Sequence, residues 1–248
     1  MKDYKPYIGT IVTRSGKKYP DFALGTYLCT EEELSNILQH YPYDRLMLDT
    51  AFRYGNEREV AKAVMESAYP QNQIVYIGKI NTSQQESGRS IRDELMDTLH
   101  RLNISKIDIY LIHSSRYQGY SETWKELIKL QKEGLIETIG VSNFGVKEIE
   151  NLYDQSGVYP EINQIVVQRN ISTDEQNKIQ ELIGYCCNKN ISIQIAMPFG
   201  GPEISKKLSE EQRASTLENL RKQKFTCVFG TKNILHLLQN IRWIEMGW

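Results

Sequence analysis

The sequence has almost no net charge, and it lacks an apolar run long enough to span a bilayer. Its 248 residues include 30 Lys and Arg against 31 Asp and Glu, which gives a formal net charge of -1. A balanced charge provides no electrostatic reason to bind nucleic acid or an anionic membrane. Because a transmembrane helix needs about 20 consecutive apolar residues, we expect neither a membrane span nor a nucleic-acid partner.

Cysteine is also scarce, with four residues at positions 29, 186, 187 and 227. None of them forms a Cys-x-x-Cys pair or stands in metal-ligand spacing, and adjacent cysteines such as Cys186 and Cys187 rarely bridge each other. We therefore expect four reduced thiols, no metal site and a cytoplasmic protein. The segment Met1 to Tyr7 has no apolar stretch of the kind that a secretory signal needs, which agrees with this expectation.

The sequence is dominated by an alternation of short apolar strands and helical segments. Eight predicted strands begin at Phe22, Leu46, Ile74, Ile107, Ile136, Ile162, Ile191 and Phe225, and each precedes a helical pattern. This alternation indicates an α/β fold with a parallel sheet, and eight units favour a closed (β/α)8 TIM barrel. No Gly-x-Gly-x-x-Gly follows the first strand, which argues against an open dinucleotide-binding sheet. The length fits a single domain over residues 1–248.

Two local signals frame the first strand. Thr10 to Tyr19 is typical of a β-hairpin with Ser15-Gly16 in its turn, and we expect it to close the bottom of the barrel. Thr30 and Glu33 form a capping box that predicts a helix from Glu31.

Four polar side chains stand at or just after predicted strand ends: Asp49, Tyr54, Lys79 and His113. In a barrel these ends open on the face that carries the active site, so the four groups should converge. An ammonium beside a phenol lowers the phenol pKa from about 10, and a buried Lys79 needs an anion such as Asp49. His113 would add a donor to the same substrate oxygen.

Structural interpretations also exist for these residues. Asp49 and Lys79 could form a buried pair without catalysis, His113 could be a satisfied structural histidine, and Asn143 and Gln164 could cap loops. The occurrence of the polar residues at successive strand ends favours the catalytic interpretation.

The order of motifs resembles the aldo-keto reductases, from the hairpin to about Asn240. The segments that carry the resemblance are Leu24-Gly25-Thr26, Asp49 to Glu57, Tyr110 to His113, Gly140 to Phe144 and Ile162 to Gln164. The resemblance implies a barrel with a bottom hairpin, and NADPH, rather than NADH, bound across the barrel mouth.

The resemblance also implies residue roles. Tyr54 would donate a proton to the carbonyl oxygen, Lys79 would lower the pKa of Tyr54 while paired to Asp49, and His113 would orient the carbonyl. The implied cofactor ligands are Ser142, Asn143 and Gln164 at the carboxamide, Gly25 and Thr26 under the nicotinamide, Gly230, Thr231 and Lys232 at the 2′-phosphate, and Asn240 at adenine.

Three features depart from the family pattern. Ala196 stands where the family usually has a stacking aromatic, which leaves Met197 or Phe199 for that role. Gly230 and His236 stand where many members carry Lys and Arg. The C-terminal substrate loop is shortened, so we expect an open pocket that a partner or second subunit could complete. The expected rim residues are Tyr117, Tyr120 and Phe199.

The sequence thus predicts an NAD(P)H-dependent oxidoreductase that reduces a small-molecule aldehyde or ketone. The alternative is a non-catalytic NADPH-binding subunit that senses redox state or regulates a partner, although such a protein has no need of Tyr54. A hydrolase or isomerase is not supported, since we find no metal-ligand cluster and no nucleophile motif.

Overall fold

A small antiparallel hairpin precedes a closed barrel of eight parallel strands. The computed structural model describes residues 4–5, 9–80, 88–116, 119–167 and 172–246. The hairpin consists of β1 (Thr10–Val12) and β2 (Lys18–Pro20). The barrel strands are β3 (Phe22–Gly25), β4 (Leu46–Asp49), β5 (Ile74–Ile80), β6 (Ile107–Ile112), β7 (Ile136–Ser142), β8 (Ile162–Val166), β9 (Ser192–Ala196) and β10 (Thr226–Gly230). Pairing of β10 with β3 closes the barrel and confirms the predicted fold class.

Helices cover the outside of the barrel in the described part of the chain. They are α1 (Glu31–His40), α2 (Glu57–Glu66), α3 (Ile91–Leu102), α4 (Tyr120–Lys132), α5 (Val146–Ser156), α6 (Thr173–Asn188), α7 (Pro202–Ser205), α8 (Glu210–Lys222) and α9 (Ile234–Met246). The short α7 was not predicted. No helix among the described residues has both the length and the apolar character needed to cross a bilayer.

The capping box of α1 forms as predicted. The Thr30 hydroxyl accepts the Glu33 backbone N–H at 3.2 Å, and the Glu33 carboxylate accepts the Thr30 N–H at 2.9 Å. These bonds satisfy two of the donors that a helix start leaves free.

The hairpin closes the N-terminal end of the barrel, as expected. Ile11 and Tyr19 pack into a buried cluster with strand residues such as Val75 and Ile109. The Tyr19 hydroxyl also lies 2.6 Å from the Thr138 hydroxyl in β7. Because this end is filled, the opposite end, where the strands finish, is the face left to hold a site.

Candidate active site at the barrel mouth

Strand alternation places a layer of polar side chains at the mouth. Met47, Ile77, Leu111 and Ile162 belong to the buried cluster inside the barrel. Side chains two residues apart in a strand share a face, so the next inward residues are Asp49, Lys79, His113 and Gln164. Three of these side chains had been predicted to be catalytic, and the fourth had been assigned to the cofactor carboxamide.

Lys79 is the centre of this layer. Its Nζ donates to Asp49 Oδ1 at 2.6 Å, to the Thr50 carbonyl at 3.1 Å and to the Tyr54 hydroxyl at 3.3 Å. Lys79 is 1% exposed and Asp49 is 2% exposed, so their charges are shielded from water. The structure therefore brings Asp49, Lys79 and Tyr54 together as the sequence predicted.

Tyr54 is positioned by one turn of 3-10 helix, Phe52–Tyr54. Its N–H donates to the Ala51 carbonyl at 2.9 Å, and the turn ends at Gly55 with φ +68°, a left-handed conformation that glycine adopts readily. Asn56 then anchors the segment to the neighbouring loop, since its Nδ2 donates to the Thr26 carbonyl at 2.7 Å.

Burial and neighbouring charges decide whether Tyr54 and Lys79 are protonated. Burial raises the pKa of Tyr54, and although the charge of Lys79 opposes the rise, the net pKa stays above its ordinary value. The sequence predicts that Lys79 lowers this pKa, and that influence is present, but burial outweighs it. Burial alone would lower the pKa of Lys79, but the charges of Asp49 and Tyr54 and the hydrogen bonds to them together outweigh burial, and the pKa is raised. At neutral pH the phenol is protonated and the ammonium is charged.

His113 follows β6 directly, and its ring centroid lies 6.2 Å from that of Tyr54. Burial lowers the pKa of His113 to about 4, and the charges of Lys79 and Arg53 contribute. The imidazole is therefore neutral at physiological pH. Its buried Nδ1 has no hydrogen-bond partner among the described residues, which leaves that nitrogen available to another group.

The residues predicted at the carboxamide lie together at the ends of β7 and β8. Asn143 adopts φ +59°, which asparagine tolerates better than most residues, and its N–H donates to the Gln164 carbonyl at 2.8 Å. Its side chain donates to the Ser142 hydroxyl at 3.1 Å and accepts the Val166 N–H at 3.3 Å. Asn143 is exposed, whereas Ser142 is buried.

Gln164 has contacts that the sequence did not predict. Its Nε2 donates to Asp49 Oδ2 at 2.8 Å and to Gln194 Oε1 at 3.0 Å. Asp49 is therefore held through both oxygens, by Lys79 on one side and Gln164 on the other. Gln194 went unrecognised because it was assigned only to an apolar strand; an amide inside such a strand was the available signal.

Gly25, Thr26 and Gly230 meet at the adjoining strand ends. Gly25 pairs with both Gly230 and Asp49 in the strand register. Thr26 is fully buried, and its backbone N–H and hydroxyl both donate to the Asp49 carbonyl, at 2.9 and 3.1 Å. Thr26 thus supports the backbone at Asp49.

The residues predicted at the adenosine end follow β10, in the next loop and in α9. The Thr231 hydroxyl accepts the Asn233 N–H at 3.2 Å, and Asn240 is buried within α9. Lys232 Nζ lies 3.0 Å from Glu33 Oε2, with the two side chains 51% and 31% exposed. An anion bound by Lys232 therefore has to compete with Glu33.

The expected rim is partly wrong. Phe199 is buried in the core, so it does not form an open wall. Tyr120 packs edge-on against Phe144 at 5.2 Å and stays partly exposed, and Tyr117 lies outside the described residues. Tyr27 was missed, although it also follows a strand end. Its ring lies 5.1 Å from that of Tyr54, and its side chain is 60% exposed.

Curated proteins with related sequences are reductases. The chain is 34% identical over 158 residues to a methylglyoxal reductase of Escherichia coli K12, a match that covers 62% of this chain and 56% of that protein. It is 32% identical over 163 residues to a 2,5-diketo-D-gluconic acid reductase of a Corynebacterium species, covering 64% and 58%. The matches thus span little more than half of the relatives' length.

Solved structures with the same fold cover nearly the whole chain. An aldo/keto reductase from Brucella melitensis has a TM-score of 0.79 at 24% identity and covers 97% of this chain and 95% of its own. A Bombyx mori aldo-keto reductase in complex with NADP has a TM-score of 0.80 at 20% identity and covers 98% and 90%. The sequence model of the aldo/keto reductase family matches residues 32–245, and this chain therefore belongs to the aldo/keto reductase family.

Proposed function

We propose that this protein reduces a small aldehyde or ketone to an alcohol with NADPH, and that Tyr54 donates the proton. The observation that carries the proposal is the arrangement of Asp49, Lys79 and Tyr54, which are joined through the Lys79 ammonium. The neutral His113 beside Tyr54 completes the set.

The residues at the mouth have the chemistry that a nicotinamide cofactor requires. Its carboxamide needs both donors and acceptors, and Ser142, Asn143 and Gln164 offer them at adjoining strand ends. When bound, the nicotinamide supplies the hydride. Thr231 and Lys232 lie at the last strand end, where the cation would hold a 2′-phosphate in place of Glu33.

Tyr54 is suited to protonate an oxyanion. Its raised pKa keeps the proton on the phenol at neutral pH. The Lys79 ammonium, 3.3 Å from the hydroxyl oxygen, stabilises the phenolate once the proton has left. Asp49 keeps Lys79 charged during this step, since a buried cation without an anion would be costly.

His113 acts as a neutral hydrogen-bond donor in this proposal. With a pKa of about 4, the ring keeps one N–H at physiological pH and can direct it at the carbonyl oxygen. A second donor beside the phenol polarises the carbonyl and orients it for attack.

The relatives and the rim support a proposal for the substrate class. Two of the relatives are named for their substrates, methylglyoxal and 2,5-diketo-D-gluconic acid. Both substrates are small, activated dicarbonyl compounds. We propose the same class here, with Tyr27 as the apolar wall and with a second subunit or partner as a further wall. We also assign the reaction to the cytoplasm, where the four free thiols would stay reduced.

Turnover separates this proposal from the regulatory alternative. The experiment mixes purified protein with NADPH and a panel of small carbonyls while NADPH absorbance is followed, and it uses Tyr54→Phe as the matched control. Reduction that depends on Tyr54 supports the enzyme. Tight NADPH binding without turnover on any carbonyl would contradict the enzyme and favour a regulatory subunit.

A further inference from the structure

We propose that Gln194 is a positioning residue that fixes the orientation of the Gln164 amide towards the cofactor carboxamide. The inference rests on the proposed function, because it assigns a role in binding the nicotinamide. It concerns a side chain that does not itself have to touch the cofactor.

The orientation of the Gln164 amide follows from its partners. Asp49 is a carboxylate paired with Lys79 and can only accept hydrogen bonds. Gln164 must therefore turn its NH2 group towards Asp49 Oδ2, 2.8 Å away, and the second hydrogen goes to Gln194 Oε1 at 3.0 Å. Both donors of Gln164 are engaged, and the atom that remains is the acceptor Oε1.

Gln194 is held where it can receive that bond. Gln164 and Gln194 are directly opposite each other in the pairing of β8 with β9. Gln194 is fully buried, and it lies two residues before Ala196, so both side chains face the same side of β9. The cross-strand contact is therefore set by the barrel register rather than by a movable loop.

The amide at position 194 leaves one of its own groups unsatisfied. Its buried Nε2 has no hydrogen-bond partner in the described part of the chain. A buried donor left unpaired lowers stability, and an apolar side chain of similar size would avoid that loss. What Gln194 provides in return is its oxygen, which accepts from Gln164. An unpaired buried group in a native structure calls for an explanation, and a functional role is one such explanation.

The expected consequence concerns the carboxamide NH2 of the nicotinamide. With both hydrogens of Gln164 occupied, its free oxygen accepts from that NH2 group. Without Gln194, one hydrogen of Gln164 has no partner and the amide can rotate about its last torsion, so the acceptor is no longer fixed. Gln194 therefore sets which polar group the cofactor meets.

Two cofactor forms test this role by binding alone. NADP carries the carboxamide, whereas its 3-acetylpyridine analogue has a methyl group in place of the NH2. Dissociation constants for both are measured with wild type, Gln194→Met and Gln194→Leu. Adenosine 2′,5′-bisphosphate reports on the distant half of the site. The control is Thr226→Val, at the residue directly opposite Gln194 in β10. It removes a fully buried hydroxyl that has no hydrogen-bond partner among the described residues.

We expect wild type to prefer NADP over the analogue, and both Gln194 variants to lose about two- to tenfold of that preference. Bisphosphate affinity should not change. The free energy of unfolding should change little, because each variant removes the unsatisfied Gln194 donor but leaves one Gln164 hydrogen without its acceptor. Thr226→Val should keep the wild-type preference.

Three results would overturn the inference. They are an unchanged preference in folded Gln194 variants, an equal loss for the bisphosphate, or a failure of both variants to fold, which would make Gln194 structural. Wild type that binds neither dinucleotide would overturn the proposed function and this inference with it. If wild type binds NADP and the Gln194 variants keep the same preference over the analogue, the proposed function stands and only the role of Gln194 is rejected.

Discussion

Lys232 and Glu33 form an ion pair across the loop that follows β10, with Nζ 3.0 Å from Oε2. The same Glu33 oxygen accepts the Thr30 N–H that starts α1. Lys232, the residue proposed to bind the 2′-phosphate, is thus paired with the Glu33 carboxylate, which would repel a phosphate. The preference for NADPH over NADH depends on how these two anions compete for Lys232.

Glu33→Gln should tighten NADPH binding by about two- to fivefold and leave NADH binding unchanged. Glutamine still completes a capping box at this position, so α1 should keep its start. Titration of both cofactors measures the effect, and the exposed Glu32→Gln on the same helix is the control. Equal changes for NADPH and NADH would mean that Lys232 does not contact the 2′-phosphate.

Lys79→Met should be nearly inactive and less stable by about 3–5 kcal/mol, because it leaves the buried Asp49 without its cation. Asp49→Asn should reduce activity less, and it should also destabilise. The double variant removes both charges and should recover stability without recovering activity. Urea unfolding and steady-state rates measure the two effects. If the destabilisations of the two single variants simply add in the double variant, Asp49 and Lys79 are not energetically coupled.

The stability of the protein should fall as the pH drops from 6.5 towards 4, partly through His113. Its pKa is lowered from 6.5 to about 4 in the folded protein, so the unfolded chain binds the proton first and protonation favours unfolding. His113→Gln should flatten this part of the curve of unfolding free energy against pH. If His113→Gln loses as much unfolding free energy as wild type over this pH range, the effect comes from other groups.

Tyr27→Ala should raise the KM for apolar carbonyl substrates more than it changes kcat. The ring lies beside Tyr54 and is largely exposed, so its loss removes substrate contact with little effect on folding. An aromatic contact of about 0.5–1.5 kcal/mol corresponds to a KM about two- to tenfold higher. Tyr27→Phe keeps the ring and should behave as wild type; an unchanged KM in Tyr27→Ala would exclude Tyr27 from the pocket.

Much of this arrangement was predictable, because strand alternation links sequence position to the barrel interior. Asp49, Lys79 and His113 each stand two residues after an inward apolar residue, and this spacing places them in one layer. The net pKa of Tyr54 was not predictable, since it depends on how far burial outweighs Lys79.

Two other features depend on geometry that the sequence does not encode locally. The pairing of Gln164 with Gln194 requires the register of β8 and β9, which spacing along the chain does not give. Phe199 stands three residues after β9, close enough to suggest a rim position. However, Met197 at φ +51° and Gly200 at φ +81° turn the chain, and Phe199 packs into the core.

In the proposed mechanism Tyr54 donates the proton, while other residues hold the cofactor. The most direct measurement compares Tyr54→Phe with wild type, both for carbonyl reduction and for NADPH affinity in the same preparation. We expect the rate to fall by about 10²–10⁴-fold, with NADPH affinity nearly unchanged. A variant that reduces carbonyls at the wild-type rate would contradict this mechanism.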